Sequence, residues 1–131
     1  LWHGSDNREI PPLWGRFEEI FTPHFEAAPS ERSYGACGPM DADGAFDYLM
    51  AIELGPRSAP GDGMTVWQIP AGRWAVFATP LGKIHETFHA IHAEWLPASG
   101  EALRAAPWLE RYGPEFDGTP ESVLEILVPV A

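Results

Sequence analysis

The chain has 131 residues and a mass of 14.4 kDa, the size of one ordinary domain. Hydrophobic residues make up 45% and charged residues 21%, which excludes a disordered, solvating composition. Eight Lys+Arg against 19 Asp+Glu give a formal net charge of −11, which argues against nucleic acid and against an anionic membrane surface, since both require a basic footprint.

In chain order, residues 1–9 are polar and without a clear period. From Ile10 the spacing of Ile10, Leu13, Trp14, Phe17, Ile20 and Phe21 predicts one apolar face of a helix, with Pro11 and Pro12 in its first turn and Thr22-Pro23 as its stop. Residues 24–32 read as a connection and 33–38 as a short strand. Asp41-Ala42-Asp43-Gly44 is a turn signal, and the period-two pattern of residues 46–54 predicts a strand. The Pro- and Gly-rich residues 55–63 predict a loop at the midpoint of the chain. Strands are expected at 64–69 and 73–79, with Pro70-Ala71-Gly72 turning between them. Ile84, Phe88, Ile91 and Trp95 predict a second helix ending at Leu96-Pro97. Strands at 108–112 and 121–130 complete the pattern.

The order helix, Tyr-Gly, acidic turn, strand occurs twice, over about residues 10–54 and 64–130. The expected fold is therefore α+β and a single domain: two duplicated β-α-β-β units, an antiparallel sheet with two helices, and a central ligand cleft. The first strand of the first unit is expected to be missing or degenerate, since nothing before Ile10 reads as one.

Several chemistries find no footing. Cys37 is the single cysteine, so a disulfide framework and a Cys-rich zinc site are excluded, and a cytoplasmic location is expected. No apolar run approaches a membrane span of about 20 residues. Nucleophile-elbow and phosphate-loop motifs are absent. Asp41, Asp43 and Asp47 lack the rest of a calcium loop. His85, His89 and His92 lie on one flank of the second helix, where a solvated face is the expected reading over metal or haem ligation. No metal and no cofactor is expected.

Four blocks in order carry a resemblance: Ile10–Phe17 (I-P-P-L-W-G-R-F), Val66–Phe77 (V-W-Q-I-P-A-G-R-W-A-V-F), Glu94–Gly100 (E-W-L-P-A-S-G) and Pro107–Tyr112 (P-W-L-E-R-Y). Together they are similar to the gyrase-inhibitor-like effector-binding domains, which include the drug-sensing domains of multidrug-responsive transcription activators. Trp74 stands where that family usually has Tyr. The resemblance implies a pocket carboxylate, carried by P-W-L-E-R-Y onto Glu110, that pairs with a cationic, lipophilic aromatic compound.

The local sequence bears on the same residue. In a strand, Trp108, Glu110 and Tyr112 share one face. An acid between two aromatics there loses solvation and needs a donor or a cation. The bland alternative is an exposed acid paired with Arg111 or another surface base. Tyr48, Trp95, Trp108 and Tyr112 are the expected stacking surfaces, with Phe46 and Phe77 as further strand candidates. Trp14, Phe17 and Phe88 are expected in the core.

Two other functions use the same residues or none of them. Relatives that hydrolyse electrophilic small molecules would use Glu110 as general base with Tyr48 or Tyr112 orienting the substrate. An interaction module that inhibits a protein partner would use the acidic surface. A homodimer or a fused DNA-binding domain is the expected context; direct nucleic-acid binding is not.

Overall fold

The computed structural model describes residues 1–21, 32–55 and 64–131. The stop at Thr22-Pro23, the connection 24–31 and most of the loop 55–63 lie outside the described residues. The chain forms two compact units, Leu1–Gln68 and Ile69–Ala131. Each runs strand, helix, strand, strand, and all the ladders within each unit are antiparallel.

In the first unit, β1 (Trp2–Gly4) pairs with β3 (Phe46–Ile52), which pairs in turn with β2 (Ser33–Cys37). The opening strand is thus present, not missing. At three residues it is too short to show a period, and its register, Trp2 opposite Tyr48 and Gly4 opposite Phe46, comes from β3. Pro11–Leu13 make a 3-10 turn that feeds α1 (Trp14–Phe21), the prolines taking positions where a missing N–H costs nothing. Ile10 and Phe17 close over Tyr48 and Met50, with Trp2, Leu13, Trp14, Cys37, Phe46 and Ile52 packed around them. The even-numbered residues of β3 therefore face α1. Asp41 shapes the turn before β3: its Oδ1 accepts the N–H groups of Asp43 and Ala45, each at 2.9 Å, and Gly44 takes the left-handed φ of 80° that a Cβ would penalise.

In the second unit, β6 (Val123–Val130) lies between β4 (Arg73–Pro80) and β5 (Trp108–Tyr112). Leu124, Ile126, Val128 and Val130 line one buried face, and Leu127 and Pro129 on the other face are buried too. β6 begins two residues later than its sequence suggests, because the Ser122 N–H donates to the Thr119 carbonyl and its hydroxyl accepts from the Asp117 N–H. The segment 64–69, expected as a strand, is not one: no ladder partner stands beside it among the described residues, and Val66 and Ile69 are exposed.

The second helix does not end at Leu96-Pro97. A 3-10 turn at Leu81–Lys83 leads into α2 (Ile84–Ala90), then a π-helical turn (Ile91–Trp95), then α3 (Leu96–Ser99). Pro97 has no N–H to give the carbonyl four residues back. The turn ahead of it is widened, and the Leu96 N–H donates to the Ile91 carbonyl. The helix then stops at Gly100, whose φ of 74° is left-handed.

Candidate functional site

The register of the second unit places the candidate acid. Glu110 stands opposite Ile126, and Ile126 opposite Phe77, so the three form one row across β5, β6 and β4. Two strand spacings, about 10 Å, separate the ends of that row. Arg111 falls on the other face, opposite Glu125, and binds it: Nη2 to Oε1 is 2.8 Å. The alternative of an exposed Glu110 paired with Arg111 is therefore not the arrangement found.

Glu110 is 8% exposed, and among the described residues it is the buried acid. Burying a carboxylate is costly unless donors replace its water. One donor is the Tyr112 hydroxyl, 2.9 Å from Glu110 Oε1. Tyr112 is itself buried, and its ring meets Phe116 edge-on at 4.7 Å. This bond to a residue two ahead on the same strand face directs the carboxylate along the strand.

Aromatic pairs stand at the Phe77 end of this row and beside Glu110 on β5. Phe77 meets Trp95 edge-on, with centroids 4.9 Å apart. Trp108 lies nearly parallel to His92, at 4.4 Å and 13°, and to Phe88, at 6.0 Å and 27°. The π turn carries both Trp95 and His92 onto these strands. Thr79, 1% exposed, bonds through its hydroxyl to that of Thr87 at 2.8 Å and ties α2 to β4.

Of the residues singled out in the sequence, Phe77, Trp95, Trp108, Glu110 and Tyr112 belong to this second unit. Tyr48 and Phe46 belong to the first, inside its core. Tyr48 is 3% exposed and meets Trp14 edge-on at 6.4 Å, while Phe46 meets Trp2 at 5.3 Å. Trp14 and Phe17 pack edge-on against each other, as core residues do. His85 and His89 are exposed, and no three His, Cys, Asp or Glu side chains come together as a metal site among the described residues.

Sequence reasoning missed Phe116 and the place of His92. Phe116 sits in a loop, where no periodicity marks it. His92 did carry a signal: it lies four residues after Phe88, and so on that residue's side of the helix.

Residues 2–130 match the family described as integron-associated effector binding protein. The transcriptional regulator BrlR of Pseudomonas aeruginosa is 32% identical over 130 residues, 92% of this chain and 46% of its own length. The Escherichia coli O157:H7 protein named "Probable transcriptional regulator YgiV" is 38% identical over 74 residues, 53% of this chain and 46% of its own. The chain thus spans about half the length of these curated relatives. Among solved structures, SAV2435 bound to tetraphenylphosphonium superposes with a TM-score of 0.66 at 19% identity, covering 99% of this chain and 84% of that one. No helix of the described residues is long and apolar enough to cross a membrane.

Proposed function

The chain belongs to the family of integron-associated effector-binding proteins, and from that membership we propose that it binds a lipophilic, aromatic cation, with Glu110 as the counter-charge. The observation that carries this reading is a buried acid, oriented by Tyr112, in a row bordered by Phe77–Trp95 and Trp108–His92. A delocalised cation suits such a place. It surrenders little hydration on entering an apolar site, it pairs with the carboxylate, and aromatic faces add about 0.5–2 kcal/mol each. Apolar burial then supplies most of the affinity, at about 25 cal/mol per Å² before the costs of association. The net charge of −11 draws cations toward the protein from a distance. The tetraphenylphosphonium in the solved SAV2435 structure is a ligand of this class and supports the reading. The wider context we propose is cytoplasmic, in transcription regulation, which the likeness of this chain to 46% of the transcriptional regulator BrlR supports.

The test is a thermal-shift and tryptophan-quenching titration with tetraphenylphosphonium and, as its neutral counterpart, triphenylphosphine oxide. Glu110→Gln is expected to weaken the cation by about tenfold or more and the neutral compound far less, as loss of a charged partner does. Equal weakening of both compounds would refute the charge-pairing role. The mass of each compound, followed over hours, is expected not to change; a hydrolysed product from an electrophilic analogue would favour the catalytic use of Glu110.

A further inference from the structure

We infer that His92 limits the affinity of the effector site, as an internal ring that occupies the stacking place on Trp108 which an aromatic ligand would take. The inference rests on the effector-binding reading above. It starts from the geometry of the pair. The imidazole lies 4.4 Å from the indole centroid and within 13° of parallel, the arrangement of a bound flat ligand. A histidine on an exposed helix flank would otherwise extend into water. His92 is exposed all the same, so the covering ring keeps water on its outer side.

Two features separate His92 from a core residue. First, it comes from the π turn Ile91–Trp95, not from the regular helix α2. Such turns are rare and recur at functional sites. Second, Phe88 already packs on Trp108 at 6.0 Å and anchors it to α2 without His92. Rotating the His92 side chain outward forfeits one ring stack and leaves no polar group stranded, because the ring already meets solvent. Exposed side chains make such rotations within nanoseconds. A ligand that takes the face of Trp108 has to displace this ring, and breaking the imidazole–indole stack lowers its affinity.

The inference predicts a gain of binding from removing a site aromatic. His92→Ala is expected to tighten tetraphenylphosphonium and triphenylphosphine oxide alike, by about two- to tenfold, the worth of one ring pair. His92→Phe, which rebuilds the cover, is expected to return both affinities to near the wild-type level. Weaker or unchanged binding by His92→Ala overturns the inference, since it would make His92 a ligand contact or a bystander. The cover also has a readout that needs no ligand. Acrylamide quenching of tryptophan emission is expected to rise in His92→Ala, and the rise is expected to vanish in a Trp108→Phe background. If wild type and variant bind neither compound, the effector reading fails and quenching alone decides about the cover. No rise in quenching then overturns it.

Discussion

The Tyr112 hydroxyl donates to Glu110 Oε1 at 2.9 Å, joining two buried residues on one face of β5. Neighbouring side chains on one strand face ordinarily extend in parallel, so this bond turns the carboxylate along the strand and fixes its orientation. It also makes Tyr112 part of what keeps a buried acid tolerable. Tyr112→Phe deletes the donor and leaves the ring. The expected cost is about 1–3 kcal/mol in urea unfolding at neutral pH, the penalty for taking a hydrogen bond from a buried acceptor. A cycle with Glu110→Gln is expected to show coupling of more than about 0.5 kcal/mol. Strict additivity would mean that the bond contributes nothing.

Behind Tyr112, Phe116 belongs to a loop that Asp117 organises. The Asp117 Oδ1 accepts from the Thr119 hydroxyl at 2.7 Å and from its N–H at 3.0 Å. These bonds, the hydroxyl's first, hold the Asp117 carboxyl below the usual aspartate range. The sign follows: a group whose folded-state pKa is depressed adds stability at neutral pH and loses it as pH falls through that value. The loop is expected to loosen below the ordinary aspartate range. The protection of the Thr119 amide, its exchange measured against the intrinsic rate at each pH, should fall on acidification, and Asp117→Asn should flatten that dependence. Protection that is level with pH in the wild type would remove Asp117 from this role.

The sequence was most legible where two signals coincided. β5 was readable to the residue because Pro107 and Gly113 bound a short run rich in aromatic residues. Glu110 stood out there because an acid between Trp108 and Tyr112 breaks the local pattern. Signals that depend on a partner misled. Residues 64–69 are rich in apolar residues and stop at Pro70, yet composition does not supply a neighbouring strand. β1 is the converse case, three residues made into a strand by their pairing with β3. Pro97 reads as a stop because the rule assumes i→i+4 bonding, which the π turn relaxes. His92 is exposed, as a helix-flank histidine is expected to be, but nothing in the sequence beyond its spacing from Phe88 marks that its ring stacks on Trp108.

The signature P-A-G-R-W has a physical account in Arg104. Its guanidinium stacks over Trp74 at 4.4 Å and donates to the carbonyls of Pro70 at 3.1 Å and Arg73 at 3.3 Å. It lies so close to Gly72 that a Cβ there would come within 2.8 Å of Arg104 Cζ. Gly72→Ala is therefore expected to push Arg104 off the turn, and Arg104→Ala to remove the same interactions directly. Each should cost about 1–2 kcal/mol, the worth of an exposed cation–π pair and its hydrogen bonds. The double variant should cost little more than either alone, because both remove one interaction. Fully additive losses in urea unfolding would refute the shared mechanism.

Gly100 provides the contrasting case, a glycine required by conformation and not by space. Nothing lies within 4 Å of a Cβ built there, but its φ of 74° is left-handed. Gly100→Ala meets no clash and still strains the backbone that ends α3, at a cost of about 1–2 kcal/mol. Asparagine tolerates that region better, so Gly100→Asn should lose less than Gly100→Ala. The order matters more than the size. A clash mechanism would rank the larger asparagine as worse, whereas a conformational one ranks alanine as worse. Thermal unfolding of the two variants side by side separates these accounts, and a lower midpoint for Gly100→Asn than for Gly100→Ala would reject the left-handed cap as the reason glycine stands there.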